Sequence, residues 1–470
     1  MKRIVDQHLN NWKNSPYRKP LLLRGARQVG KTHSVRQLGQ SFNNLVEINF
    51  ESKDLFATIF DIDFDIKRII RNLELHTDQK IVPGQTLLFL DEIQNVPRAL
   101  TALRYFYEQL PALHVIAAGS LLDFTIQEVG IPVGRVESLY MYPLSFLEFL
   151  CACKHTMLAE AILTQPVKLN SSINLDYRTN ISITSQTQLE PLSSTIHDKL
   201  LKLLGEYLAI GGMPEAVFIW QQTNDPKLAL NVHNALIDTY RQDFNKYATK
   251  FQIKYLETIF KTAPVLLGQK FKYSAIHGDY RKRELAPCVD LLATAGIVHI
   301  VTRTAGYGIP LRAEADLEDF KLIFLDIGLT QAMLGLDLRN WFLQPEQEFI
   351  NKGALLEAFI GQELLAHAPV NQKTELFYWR RNTPGSEAEI DYLWPDKNQV
   401  VPIEVKSGSG TTLKSMHMFL DSHPKTTHGL RFSTQNYSIY NNIQSYPLYA
   451  VPQMLLSHGL QELQNYAGLY

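Results

Sequence analysis

Leu21-Leu22-Leu23 runs directly into Gly25-Ala26-Arg27-Gln28-Val29-Gly30-Lys31-Thr32, and the stretch from Lys31 to Leu38 reads as the opening of a helix. This order of apolar strand, G-x-x-x-x-G-K-[ST] loop and helix admits very few folds. The strand must deliver the loop at its carboxyl end, and the helix must leave with its N-terminus facing the same point. The glycines let backbone N–H groups crowd around phosphate oxygens, and the helix N-terminus adds partial positive charge. Residues 25–32 are therefore the candidate phosphate-binding set. In it, Lys31 reaches the outer phosphates of a bound nucleotide and Thr32 holds Mg²⁺.

A second apolar strand, Thr86-Leu87-Leu88-Phe89-Leu90, ends in Asp91-Glu92. A carboxylate at such a strand tip serves a Mg²⁺ ion through water, which makes Asp91 the second candidate metal residue. The next carboxylate, Glu92, is placed to polarise an attacking water as a general base. Taken alone, the segment would pass for a buried strand and an acidic turn; paired with the loop it reads as the Walker B partner of a Walker A motif.

The remaining sequence bounds the reading. A chain of 470 residues makes about two to four domains. A net charge of −1 gives no chain-wide attraction for a polyanion, so any nucleic-acid surface must be local. Cys151, Cys153 and Cys288 form neither a disulfide framework nor a zinc pattern. Met1 to Pro20 is polar and charged, unlike a signal peptide, and no apolar run approaches the roughly 18 residues of a membrane span. A cytoplasmic protein without a membrane partner is expected. Flavin, nicotinamide, haem and zinc find no motif.

Up to residue 150, strands and helices alternate: Pro20–Arg24, Leu45–Phe50, Thr86–Leu90 and His114–Ala118 read as strands, and Arg98–Gln109 as one of the helices between them. The alternation predicts an α/β fold with a parallel sheet covered on both faces. Ser120 ends the fourth strand, where it would watch a γ-phosphate; a plain Gly-Ser turn fits as well. Arg135, after Gly134, is a candidate for the transition-state charge, in its own subunit or a neighbour's.

These residues carry a resemblance. The run from the P-loop through Leu-Asp-Glu-Ile-Gln, Ala-Gly-Ser, Gly-Arg and Pro-Leu-Ser-Phe-x-Glu-Phe, with Gly211-Gly212-Met213-Pro214-Glu215-Ala216 further on, resembles the prokaryotic AAA family ATPases that carry a C-terminal domain of unknown function, DUF4143. The strand between P-loop and Walker B resembles the additional-strand class that includes the AAA+ proteins. The resemblance implies ATP and Mg²⁺ as substrate and cofactor, with Lys31, Glu92, Ser120 and Arg135 as catalytic residues. It covers nearly the whole chain except about 165–195, a Ser-, Thr-, Asn- and Gln-rich stretch that reads as an insertion or mobile loop.

Residues 241–284 hold ten Lys or Arg against four Asp or Glu. From Tyr255 to Arg303 the pattern reads helix, helix, helix, strand, which resembles a winged helix. Arg281-Lys282-Arg283 opens the third helix, where a basic N-terminus meets phosphates or base edges. A helical domain with a solvated basic face, or a protein-binding winged helix, has the same pattern.

In the last hundred residues Glu389-Ile390-Asp391-Tyr392-Leu393 and Ile403-Glu404-Val405-Lys406 alternate charged and apolar residues, as half-buried strands do. The Pro395-Asp396-Lys397-Asn398 turn pairs them antiparallel and brings Asp391 near Glu404 and Lys406. A helix over Gly353–Leu365 carries Glu357 and Glu363. The set resembles the PD-(D/E)xK nuclease core. That resemblance implies Mg²⁺ on Asp391, Glu404 and a third carboxylate, Glu357 before Glu363; Lys406 beside the attacking water; and Arg380 against a backbone phosphate. Ile390 stands where that family has proline, and the fold also occurs with its chemistry lost.

The expected architecture is thus a P-loop ATPase domain (1–150), a helical connector (151–240), a winged-helix-like domain (241–345) and a small α/β restriction-endonuclease-like domain (346–470). Two functions follow from it. One is an ATPase driving a DNA-binding, DNA-cleaving module; the other is an ATP-dependent DNA- or protein-binding switch with an inactive nuclease fold. DNA, a protein partner and further copies of the chain are the partners this reading allows.

Overall fold

The alternation of strands and helices in the N-terminal third builds one sheet with helices on both sides. The computed structural model describes residues 1–51, 53–165, 167–174, 182–381, 388–408 and 413–457, with backbone alone for 53–55, 167–174 and 182–189. Strands β1 (Leu21–Arg24), β2 (Asn44–Asn49), β3 (Thr86–Asp91), β4 (His114–Ala118) and β5 (Glu137–Tyr140) form a parallel sheet in the order β2-β3-β4-β1-β5. Period two divides each central strand between two cores. Leu21, Leu23, Leu87, Phe89, Ile116 and Ala118 face one, while Leu22, Leu88, Leu90, Val115 and Ala117 face the other. Because both faces are covered, these strands read as unbroken apolar runs. β4 lies between β1 and β3, so the P-loop strand and the Asp-Glu strand are not neighbours.

A connector follows, with helices Phe146–Ala152, Thr156–Thr164, Ser194–Ile210, Pro214–Thr223 and Pro226–Tyr247. The polar stretch read as an insertion or loop contains two antiparallel strands, β6 (Val167–Asn174) and β7 (Ser182–Leu189); residues 166 and 175–181 lie outside the described residues. The Gly-Gly-Met-Pro element is a latch. Gly212 N–H donates to Asp326 at 2.6 Å and Gly212 O accepts from Leu144 N at 2.7 Å. It thereby ties the first sheet's domain to the C-terminal half.

The second sheet is mixed. Its strands are β8 (Val298–Thr304), β9 (Ala315–Phe324), β10 (Leu376–Arg380), β11 (Glu389–Asp396), β12 (Gln399–Val405), β13 (Gly429–Ser433), β14 (Ser438–Tyr440) and β15 (Ile443–Pro447), in the order β14-β15-β13-β12-β11-β10-β8-β9. β11 and β12 pair antiparallel about Lys397-Asn398, with Asp396 opposite Gln399 and Lys397 at φ +51°. Helices Lys250–Thr262 and Lys282–Thr294 precede the β8–β9 hairpin, and the middle helix of the expected three is one 3₁₀ turn, Tyr273–Ala275. The expected order of helices and strand is present, but the hairpin does not stand apart, because β8 pairs in parallel with β10. A domain boundary at 345/346 therefore divides a continuous sheet. One face of this sheet shares a core with one face of the first, and the other is covered by helix Lys414–Ser422 through Met416 and Phe419. Among the described residues no helix is long and apolar enough to cross a membrane.

Candidate nucleotide cleft and carboxylate cluster

The P-loop leaves the carboxyl end of β1 through a backbone that requires glycine. Gly25 has φ +142°, and a Cβ there would lie 2.1 Å from Met141 O. The chain turns again at Gln28 (φ +62°) and Gly30 (φ +100°), and helix Lys31–Gly39 departs. Lys31 folds back over the loop. Its Nζ donates to Gly25 O at 2.9 Å and Ala26 O at 2.8 Å. Burial pulls its pKa down to about 8, against the opposing pull of Glu92 and Asp91. Thr32 Oγ1 donates to Asp91 Oδ2 at 2.9 Å. Burial raises the Asp91 pKa, and the Thr32 bond opposes the rise.

Glu92 follows β3 in the left-handed region, φ +52°. Such a backbone costs a glutamate about 1 kcal/mol, and departures of this kind gather at functional sites. Its carboxylate accepts from the Gln94 amide, and Ser120 Oγ is 3.5 Å away. Glu92, Gln94, Ser120, Arg27 and Lys246 line one open cleft of about 640 Å³. The fold thus brings Lys31, Thr32, Asp91, Glu92 and Ser120 to one edge of the sheet. The hydroxyl of Thr32 and the carboxylate of Asp91 are hard oxygen donors set side by side, a pair that suits Mg²⁺ completed by phosphate oxygens and water.

Arg135 does not join them. It precedes β5, whose first residue, Glu137, is level with Leu21 at the start of β1. That is the amino edge of a parallel sheet whose carboxyl edge carries the P-loop. Its guanidinium pairs with Glu108 at 3.0 Å. Arg135 therefore does not reach the P-loop of its own chain. Two other cations, Arg27 and Lys246, line the cleft. Asp243, buried in helix Pro226–Tyr247, pairs with Arg27 at 3.0 Å and Lys246 at 2.8 Å, and Tyr240 O–H donates to Arg27 O at 2.8 Å. Arg3 is also new: its side chain donates to Val29 O, Tyr142 O and Glu148, each within 2.9 Å. The sequence showed Lys246 and Asp243 only as part of the charged stretch 241–284, and Arg3 only as one of several basic residues near the start.

Helix Lys282–Thr294 touches the same loop. The turn that ends it, at Gly296 (φ +72°), lies against Ala26, and a Cβ on Gly296 would be 3.4 Å from that of Ala26. Arg281, Lys282 and Arg283 are exposed at the other end. Arg281 N–H donates to Glu284, and Lys282 pairs with Glu318.

In the second sheet Glu357, Asp391, Glu404 and Lys406 do converge, together with a residue the sequence reading missed. Lys321 of β9, 2% exposed, places its Nζ 2.8 Å from Glu357 Oε1 and in contact with Glu389. The ring centroid of Tyr378 is 5.0 Å from it. Asp391 Oδ2 accepts from Val405 N at 2.7 Å, Lys406 pairs with Glu404, and Glu404 Oε2 has no partner. Burial and the nearby Asp391 push Glu357 and Glu404 up to about 7. Arg380 ends β10 opposite Glu389. Glu363, the alternative third carboxylate, is elsewhere: Oε1 accepts from Phe146 N at 2.8 Å and Oε2 is 3.3 Å from His367. On helix Gly353–Ala366, six residues of helix put it far around from Glu357. Among the described residues no group of three or more His, Cys, Asp and Glu is placed to hold a metal. The divalent metal that a nuclease core implies would meet Glu357, Asp391 and Glu404 with one oxygen of each already committed, to Lys321, the Val405 amide and Lys406.

Three family profiles match the chain: an AAA domain over residues 17–150, a domain of unknown function, DUF8612, over 201–340, and DUF4143 over 352–451. Among solved structures, the chain is similar to that of the Aeropyrum pernix Orc1 protein in complex with DNA. The identity is 11% and the TM-score 0.29, over 70% of this chain and 90% of that one. It is also similar to C. elegans PCH-2, at 14% identity and a TM-score of 0.23, over 47% of this chain and 58% of that one. At these scores neither likeness supports an argument about function. No curated protein matches the chain.

Proposed function

Since the chain is an AAA-domain protein with a DUF4143 domain after it, we propose that it binds and hydrolyses ATP with Mg²⁺ and that its nucleotide state controls a DNA-contacting surface in the C-terminal half. Residues 25–32 cradle the phosphates. Lys31 exchanges its two carbonyl partners for β- and γ-phosphate oxygens, and Thr32 and Asp91 hold the ion, which neutralises phosphate charge. Glu92 takes the proton of the attacking water, with Gln94 and Ser120 orienting its carboxylate. Arg27 and Lys246, held by Asp243, supply positive charge on the cleft wall.

The observation that carries the coupling is the single helix Lys282–Thr294. It spans about 20 Å, with the P-loop at its C-terminal turn and Arg281, Lys282 and Arg283 at its start. A nucleotide that repositions Gly25-Ala26 presses on that turn and moves the basic end. Of the two expected functions this favours the switch, in which the nuclease-like sheet recognises DNA without metal-dependent cleavage. Lys321 is the specific observation on that side.

The test is fluorescence anisotropy of duplex DNA at several salt concentrations, with and without ATP, on wild-type protein and on a variant with all three basic residues changed to alanine. Binding should weaken steeply with salt, and the variant should lower the slope of log K against log [salt] by up to about 3. Affinity that is indifferent to ATP, or a slope the variant leaves unchanged, would overturn the coupling.

A further inference from the structure

The carboxylates of the second sheet already have a cation. Lys321 stands in the apolar run Phe320-Lys321-Leu322-Ile323-Phe324 of a buried strand. Its ammonium donates to Glu357 from the helix and contacts Glu389 of β11, with the face of Tyr378 on a third side. Asp391 is close enough to add to the charge that favours its protonated form, after the larger effect of Glu357. Tyr378 is itself fixed, because its hydroxyl donates to Asp319, which also accepts from Lys270 at 2.6 Å. Lys321 is therefore held between the carboxylates and a fixed ring, with its side chain 2% exposed.

A Mg²⁺-like ion needs about six oxygens at roughly 2.0–2.1 Å. Here one Glu357 oxygen is committed to Lys321, one Asp391 oxygen to the Val405 amide, and one Glu404 oxygen to Lys406. Each of the three carboxylates keeps one further oxygen, of which Glu404 Oε2 is buried without a partner, and a divalent ion bridging them would compete with the Lys321 and Lys406 ammonium groups for the same carboxylates. We propose that Lys321 is the resident cation of this cluster and excludes a divalent metal from it, so that the DUF4143 sheet holds its carboxylates together without metal chemistry. The proposal rests on the switch reading only for its consequence, DNA contact without cutting; the exclusion of metal stands on the geometry alone.

The experiment is Mn²⁺ binding followed by electron paramagnetic resonance on the full-length, nucleotide-free protein. Wild type should show no site that Asp391→Asn removes. Lys321→Met, which keeps an unbranched side chain one atom shorter and deletes its charge, should gain one site of millimolar or tighter affinity, and adding Asp391→Asn to it should remove that site. Should the Met variant fail to fold, as judged by loss of ATP binding, Lys321→Gln takes its place. A wild-type Mn²⁺ site abolished by Asp391→Asn overturns the proposal, and so does a folded Lys321 variant that gains none. Loss of DNA binding with these metal results intact would sink the switch reading and leave the resident cation standing.

Discussion

Lys31 gives the strongest quantitative prediction, that ATP affinity falls as the solution becomes alkaline. In the nucleotide-free protein burial holds the Lys31 ammonium at a pKa of about 8. Bound phosphates add negative charge beside it and return the pKa toward the ordinary lysine value of about 10.4. The bound state thus keeps a proton that the free state loses, and linkage fixes the sign. Affinity is fully present below pH ~8, declines through the window between about 8 and 10, and levels off above it. Between about pH 7 and about pH 9 the loss is about tenfold, or about 1.4 kcal/mol. The assay is titration with a fluorescent ATP analogue across that range, with ADP in parallel, because both keep the β-phosphate that Lys31 meets. Lys31→Met should bind weakly and show no such slope, which separates Lys31 from other groups titrating nearby. Wild-type affinity constant within a factor of two across the range would refute the argument, and with it the placement of Lys31 against the phosphates.

Three further outcomes are expected. Glu92→Gln should bind ATP as wild type does while turnover drops about 10²–10⁴-fold; turnover near the wild-type rate in a steady-state phosphate-release assay would remove Glu92 as the base. Arg135→Ala should change stability by less than about 0.5 kcal/mol, as loss of an exposed ion pair does, and should leave the turnover of dilute protein unchanged; a large loss under those conditions would contradict its position on the far edge of the sheet. Glu363→Ala, which orphans the buried Phe146 N–H, should cost about 2–3 kcal/mol in urea unfolding, while Mn²⁺ binding stays as in wild type; a stability-neutral result would mean that the contact with the first domain is not made in solution.

Much of the N-terminal third was legible because its strands are buried on both faces and separated by helices. His114–Ala118 lies where the apolar run placed it, and Leu21–Arg24, Asn44–Asn49 and Thr86–Asp91 differ from the expected strands by one residue at an end or in register. β5 was not legible. It has four residues at the sheet edge, of which only Leu139 is buried, too few to show a period. The same short strand hides that Arg135 lies away from the P-loop of its own chain, since nothing in the local sequence says which edge of the sheet Gly134 turns toward. In the C-terminal half the turn at Lys397-Asn398 announced the β11–β12 pair and so the approach of Asp391 to Glu404. Lys321 lies far upstream, and sequence distance hid its arrival in the cluster. Its signal was a lone charge inside an apolar strand, which needs a buried partner. Glu357 and Glu363 share one helix, and only the packed structure decides which faces the second sheet and which reaches Phe146.

The parallel pairing of β8 with β10 has a practical consequence for anyone dividing this protein. A fragment starting at residue 346 would lack both strands of the hairpin. Leu376, Phe377 and Tyr378, now level with Val301, Thr302 and Arg303, would become a bare outer strand with its amides and carbonyls turned to water. Such an apolar margin recruits strands from neighbouring molecules. The fragment would also lose Lys321, leaving Glu357 and Asp391 without the charge that balances them. Its insolubility would reflect where it was cut, whereas a cut placed before residue 250 would keep the hairpin with the sheet it completes.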